Sequence, residues 1–158
     1  MSNLLGMLLR VLASWSGIEP APRPRPTPRP TPDPVPPTPT GPGVVEAINA
    51  ARASAGLDPL APDPALQDSA ATWARVMAGG GGLSHGDFAG RIGAIFPRTA
   101  AGEDVAEGQP TPDAVVAAWM SSPPHRANIL GPFNKVGAGS ALDAAGSLFW
   151  CVDFVGAG

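Results

Sequence analysis

Apolar residues recur at helical spacing along most of the chain beyond residue 44. One stripe, at spacing i, i+4, i+7 and i+11, follows the pair Asp63-Pro64, which is typical of the first turn of a helix. We therefore predict a helix that starts at this pair and buries one face. The residues of that face are Leu66, Ala70, Trp73 and Met77. The same reasoning predicts four further helices, over 44–55, 88–96, 111–119 and 122–130.

Strand-like runs are concentrated at the end of the chain. Residues 135–142 and 147–155 flank a turn with the sequence Asp-Ala-Ala-Gly, so we expect a β-hairpin there. The segment 102–106 is either another short strand or the start of a loop. Helices followed by a short, helix-flanked sheet predict an α+β domain that covers residues 44–158.

Residues 1–18 form a separate apolar segment whose role the sequence leaves open. The apolar run is shorter than the roughly 18 residues expected of a membrane span, and Arg10 interrupts it. A secretory signal normally has basic residues before its apolar run, and this chain has none there. Three interpretations remain: a weak signal or membrane anchor, a helix over 1–17 that docks on a partner protein, or a tail with neither role.

Proline dominates residues 19–43, because twelve of the 21 prolines fall between Pro20 and Pro42. Each proline fixes its own φ and disfavours helix at the residue before it. The segment should therefore be an extended polyproline II linker that holds the domain away from the first segment. The alternative is a ligand for a proline-recognising domain.

Charge and cysteine usage exclude several functions. Residues 43–158 carry six basic and eleven acidic side chains, so the domain should repel phosphate polymers and not bind nucleic acid. Cys151 is the single cysteine, which rules out an intrachain disulfide and a metal site built on clustered cysteines.

Two histidines, His85 and His125, lie next to helix-breaking residues and outside the apolar stripes. A neutral imidazole is a common metal ligand and also acts as an acid or base near neutral pH. Glu103 lies just ahead of an apolar pair, which suits a carboxylate at a sheet edge that faces a cleft. The three residues could bind a divalent ion or carry out acid–base chemistry, whereas an isolated loop histidine is more often simply solvated.

Other catalytic arrangements have less support. The chain has no nucleophile-elbow, phosphate-loop, dinucleotide-binding or paired-histidine zinc motif. A hydroxyl beside a histidine could come from Ser84, Ser121 or Ser122, but Ser122 is more simply a helix N-cap. Cys151 alternates with apolar neighbours in a predicted strand, so we expect a packed side chain and not a reactive thiol.

Five blocks of sequence, in this order, carry a resemblance to a known family. They are INAARASAGLDPLAPDPAL, Ser84-His85 with Arg91-Ile92, GEDVAEG, AWMSSPPHRANILGPFNKVGAG and LFWCVDFVG. Together they resemble the CAP superfamily, named for cysteine-rich secretory proteins, antigen 5 and pathogenesis-related 1 proteins, and in particular its disulfide-poor bacterial branch. The resemblance covers the whole predicted domain.

The resemblance implies a three-layer α-β-α sandwich with a large cleft. It implies that His85 and His125 hold a divalent metal such as zinc, and that Glu103 is the first acid of the site. It also implies that Arg126 and Asn128 tie the His125 helix to its neighbours. The second acid of the family is missing, because serines occupy its position. Asp104 also stands where the family usually has asparagine.

Three functional hypotheses remain. The first is a non-catalytic module, secreted or anchored in the cell envelope, that binds a lipid, sterol or peptide-like ligand in its cleft. The second is a hydrolase in which His85, Glu103 and His125 are catalytic, with or without a metal. The third is a structural attachment protein in which residues 1–17 dock into a membrane or a virion-like particle. The first is preferred, and the third is compatible with it.

Overall fold

The computed structural model describes residues 42–156. The apolar segment 1–18 and the linker up to residue 41 lie outside the described residues, so their predicted structures remain predictions. The first helix begins at Pro42, two residues before its predicted start, and proline suits this place because a first-turn N–H has no partner within the helix. None of the helices within residues 42–156 has the length and apolar character needed to span a bilayer.

The predicted helices are all present within the described residues. They are α1 (Pro42–Ser54), α2 (Pro64–Val76) with a π-helical extension (Met77–Gly81), α3 (Phe88–Ile95), α4 (Pro112–Ser121) and α5 (Pro123–Ile129). Asp63 caps α2 by accepting hydrogen bonds from the backbone N–H groups of Ala65 and Leu66. Thr111 caps α4 through the N–H of Ala114. Side-chain caps of this kind satisfy backbone donors that a helix leaves free at its start.

The described residues form one sheet with the strand order β1-β3-β4-β2. Its strands are β1 (Ala61–Pro62), β2 (Ala101–Glu107), β3 (Lys135–Leu142) and β4 (Leu148–Val155). β3 and β4 form the predicted hairpin, and β2 pairs antiparallel with β4, so the segment 102–106 belongs to a strand. β1 pairs parallel with β3, and the pattern does not predict it because two residues within a turn carry no strand signal. Because β2 stands last in the strand order, it is an edge strand.

Helices cover both faces of this sheet. Trp150, Val152 and Phe154 of β4 pack against the layer formed by α1, α4 and α5. Phe149 and Cys151, which alternate with them, pack against α2. The two-residue alternation of a strand therefore supplies a core on each side. This arrangement confirms the predicted α+β class and the three-layer sandwich.

α2 packs directly on the backbone of β3 at two glycines. A Cβ added at Gly137 would lie 2.1 Å from the carbonyl carbon of Leu66, and one at Gly139 would lie 2.3 Å from the Cα of Ala71. Residues two apart on a strand share a face, so both positions point at the helix. Glycine at both positions lets α2 approach the sheet closely.

Arg52 of α1 fixes the end of α5. Its side chain is buried, and its guanidinium donates to the carbonyls of Asp58 at 2.9 Å, Ile129 at 2.8 Å and Gly131 at 2.9 Å. Carbonyls at the end of a helix have no partner within it, so an arginine donor stabilises them. Because His125 lies on α5, this contact also helps to place the candidate site.

Candidate functional site

Glu103 lies on the edge strand β2, with its side chain buried. The strand register places it directly opposite Asp153 of β4, and Cys151 lies on the same face of β4. The Cys151 thiol lies 3.3 Å from Glu103 Oε2 and 3.8 Å from Asp153 Oδ1. Two carboxylates directly opposite each other on a buried face repel, so this pair needs a cation or a proton nearby.

Arg91 of α3 supplies the cation. Its Nη2 donates to Glu103 Oε2, and its Nη1 donates to Ser69 Oγ at 2.9 Å. Nη1 also lies 3.5 Å from Asp153 Oδ2. The guanidinium carbon is 4.8 Å from the centre of the Trp73 ring, which is a cation–π distance. Arg91 therefore links both acids of the sheet to α2.

One guanidinium does not fully compensate the buried acids. Burial, reinforced by the charge of Glu103, raises the pKa of Asp153 to about 7. Burial also raises the pKa of the Cys151 thiol well above its usual value, and the neighbouring carboxylates raise it further. Cys151 is therefore a protonated, packed side chain, as predicted, because a reactive cysteine needs an accessible thiolate.

His85 reaches Glu103 from the loop between the π-helical turn and α3. Its Nδ1 lies 2.7 Å from Glu103 Oε1, and since a carboxylate only accepts, the Nδ1–H group donates this hydrogen bond. Trp73 holds the loop by donating from Nε1 to the Ser84 carbonyl at 2.8 Å. Gly86 has a φ of 53° and packs so tightly on that indole that an added Cβ would lie 2.2 Å from it. The His85 side chain is nevertheless 55% exposed, so the ring is accessible from solvent.

His125 comes from the opposite layer, on α5. Its Nδ1 lies 3.0 Å from Ser122 Oγ. Ser122 occupies the predicted N-cap position, but its hydroxyl makes no capping hydrogen bond and contacts His125 instead. Burial, together with the charge of His85, lowers the pKa of His125. The structure thus brings His85 and Glu103 into contact, whereas the side-chain hydrogen bond of His125 goes to Ser122 and not to either of them.

Asp104 and Asn128 join β2 to α5 on the other face of the strand. The Asn128 amide donates to Asp104 Oδ1 at 2.8 Å and to the Glu103 carbonyl at 3.2 Å. Burial raises the pKa of Asp104 to about 7, and the charge of Glu103 adds to this effect. The contact is the tie that the resemblance implies for Asn128, and it holds the His125 helix against the edge strand.

Two sets of side chains in the described residues have the donor chemistry of a divalent metal site. The first is the histidine pair predicted from the sequence, because a side-chain oxygen contacts each Nδ1, as in metal sites where a second side chain orients the imidazole. The second is the buried group Glu103, Cys151 and Asp153, whose donor atoms all lie within 4.8 Å of one another. Nitrogen, oxygen and sulfur donors all suit zinc.

Sequence reasoning identifies the histidines and Glu103 but not the groups that support them. A signal for Asp153 exists, since a carboxylate in the apolar run LFWCVDFVG must find a partner when buried. Arg91 has no such physical signal, because its place on a short helix is equally compatible with solvent, and it is singled out only as part of the family resemblance. Trp73, predicted as core, is only partly buried and instead supports the His85 loop.

Comparison with known proteins identifies the family. The family model for the cysteine-rich secretory protein family, CAP, matches residues 45–154. The chain belongs to this family. The protein YkwD of Bacillus subtilis (strain 168) is 38% identical over 122 residues, which cover 72% of this chain and 46% of YkwD. This CAP chain thus spans about half the length of that relative, and the predicted bacterial CAP relationship is confirmed.

Solved structures share the CAP fold. An outer surface protein from Borrelia burgdorferi has a TM-score of 0.65 at 21% identity and covers 73% of this chain and 90% of its own. An extracellular protein containing an SCP domain from Bacillus anthracis str. Ames has a TM-score of 0.63 at 24% identity, with 72% of this chain and 39% of its own covered. At these identities the likeness establishes the fold.

Proposed function

We propose that this CAP domain acts outside the cytoplasm and binds a lipid, sterol or peptide-like ligand in a cleft at His85 and His125, with the buried Glu103 holding His85. The two histidines would also hold a divalent metal such as zinc. The observation that carries the proposal is that each imidazole has its Nδ1 at hydrogen-bond distance from a side-chain oxygen, that of Glu103 for His85 and that of Ser122 for His125. An imidazole oriented through Nδ1 can bind a metal through Nε2.

We place the metal at the histidines and not at the buried acid group because of charge and access. The Arg91 guanidinium contacts Glu103 and lies 3.5 Å from Asp153, so it repels a second cation from the same oxygens. Cys151 is 0% exposed and would have to lose a tightly held proton. His85 and His125 would hold the zinc, which would supply a Lewis acid for an oxygen of the bound ligand.

The metal part is tested by calorimetric titration of zinc into the full chain. We expect one zinc per chain, with affinity at least about 10-fold weaker in His85→Ala and in His125→Ala, because each removes one of two protein ligands. Cys151→Ser is the matched control and should bind zinc normally. Loss of binding in Cys151→Ser with binding retained in His85→Ala would move the metal to the buried group, and no binding by the unaltered protein would refute the metal.

The extracytoplasmic part is supported by relatives whose names place them at the outer surface or outside the cell. Its test is fractionation of cells that make the full chain, with and without residues 1–17. We expect the full chain in the envelope or medium, and we expect the deletion to release or relocate it. Full chain in the cytoplasm would refute the location, and unchanged fractionation of the deletion would refute attachment through residues 1–17.

The second candidate is a hydrolase, and the 3.0 Å contact between Ser122 Oγ and His125 Nδ1 is the observation that favours it. A base next to a hydroxyl can activate it as a nucleophile. The carboxylate of the site, however, orients His85 and not His125, so the arrangement lacks the third member of a triad. Turnover of a peptide and ester panel that is lost in both Ser122→Ala and His125→Ala would support this candidate, and no turnover by the unaltered protein would exclude it for those substrates.

A further inference from the structure

We propose that Arg91 is a positioning residue: by holding one oxygen of Glu103, it sets the direction of the other oxygen and so the orientation of His85. The two oxygens of the Glu103 carboxylate have different partners. Oε1 faces His85 Nδ1, whereas Oε2 receives Arg91 Nη2 and the Cys151 thiol. With its side chain 1% exposed, Glu103 has little contact with water that could orient it instead.

Arg91 is the stronger of the two donors to Oε2. A thiol is a weak hydrogen-bond donor, and the Cys151 sulfur lies 3.3 Å from the oxygen. A guanidinium donates charge-assisted hydrogen bonds in fixed directions within its plane. Removal of Arg91 would therefore leave Glu103 held mainly by a weak contact and free to rotate away from His85.

Arg91 is itself held rigidly, which a positioning residue requires. Its guanidinium carbon lies 4.8 Å from the Trp73 ring centre and 5.9 Å from that of Phe88, and Nη1 donates to Ser69. Trp73 also anchors the backbone of the His85 loop. The indole and the guanidinium thus fix His85 together, one through the loop and the other through Glu103.

The alternative is that Arg91 acts only through its charge. The two roles predict opposite changes in zinc affinity when Arg91 is removed. A cation near a metal site repels the metal, so its removal would strengthen zinc binding if charge were the whole effect. If Arg91 positions Glu103, its removal weakens zinc binding because the orienting partner of a metal-bound imidazole is lost. The zinc readout rests on the proposed metal function, so a second readout on the metal-free protein is needed.

The experiment compares the full chain with Arg91→Met and Arg91→Lys. We expect Arg91→Met to weaken zinc affinity about 10-fold, the lower end for loss of an orienting group. The zinc affinity of Arg91→Lys should lie between those of Arg91→Met and the unaltered protein. An ammonium keeps the charge but cannot bridge several acceptors in one plane. In metal-free protein, NMR should detect the Nδ1 proton of His85 held by Glu103, and Arg91→Met should lose or shift that signal. Arg75→Met, an exposed arginine on α2, is the control for loss of one positive charge and should change neither readout.

A double-mutant cycle with Glu103→Gln tests whether Arg91 works through Glu103. In the Glu103→Gln background, Arg91→Met should change zinc affinity by less than about 2-fold, because effects of residues in one network are not additive. A full 10-fold effect in that background would overturn the proposal. So would unchanged or stronger zinc binding by folded Arg91→Met, or an unchanged His85 signal.

The outcomes for the two proposals can be separated. If the unaltered protein binds no zinc, the metal function fails, and the His85 signal in metal-free Arg91→Met alone decides whether Arg91 positions the ring. If circular dichroism shows that Arg91→Met does not fold, Arg91→Lys decides by the same two readouts, and wild-type values in that variant would overturn the proposal.

Discussion

Asp104→Asn should make this domain more stable at alkaline pH and reduce the pH dependence of its stability. Asp104 is fully buried, and it stands where the CAP family resemblance predicts asparagine. Asn128 donates to one of its oxygens, while the other has no hydrogen-bond partner. An asparagine at this position resembles the protonated acid, since it can accept the same bond without a charge.

The magnitude follows from the pKa. Burial raises the pKa of Asp104 from 3.8 to about 7, so over that range the folded state keeps a proton that the unfolded chain releases. The free energy of unfolding then falls as pH rises, by at most about 1.4 kcal/mol per pH unit, and becomes level above about pH 7. Between pH 5 and pH 8, the stability of Asp104→Asn relative to wild type should rise by up to about 3 kcal/mol.

Urea unfolding followed by tryptophan fluorescence at pH 5 and pH 8 measures this difference. The other titrating groups, including Asp153 and the histidines, are present in both proteins, so their contributions cancel to first order. Asp68→Asn, which removes an exposed carboxylate from α2, is the control. Its free energy of unfolding should change with pH as that of the wild type does. A difference between Asp104→Asn and wild type that is the same at both pH values would refute the reasoning.

Two further substitutions test how the fold positions the site. Arg52→Met should destabilise the domain by about 3–5 kcal/mol in urea unfolding, because it leaves three carbonyls without their guanidinium donor, and a loss below about 1 kcal/mol would contradict that role. Gly86→Ala should cost about 1–3 kcal/mol and weaken zinc binding, since its Cβ meets Trp73 at a positive φ and displaces the His85 loop. Unaltered stability and zinc affinity in Gly86→Ala would mean that the loop is not fixed in this way.

Much of the fold is predictable because its signals are local. The caps Asp63 and Thr111 precede prolines at helix starts, and each lies within three residues of the N–H groups that it accepts from. The hairpin of β3 and β4 is likewise announced by two adjacent strand patterns and the turn between them. Strand β1 could not be predicted, because a two-residue parallel bridge exists only through its distant partner.

The candidate site, like the fold, is predicted only in part from the sequence. Residue type and sequence context are enough to select His85, His125 and Glu103 as candidates, since imidazole and carboxylate groups are common metal ligands and acid–base groups. Their support depends on the tertiary structure. Arg91 and Asp153 lie far from each other along the chain, and only the strand register and the approach of α3 bring both to Glu103.

The amino-acid sequence by itself therefore determined the class of the domain, its helices and hairpin, and the three side chains on which the proposed function rests. The tertiary structure decided which oxygen of Glu103 meets His85, why Ser122 contacts His125 and does not cap its helix, and why two acids can be buried face to face. The physical reason is the separation along the chain over which each interaction acts. Capping and periodicity act over a few residues, whereas burial and charge act between any groups that the fold brings together.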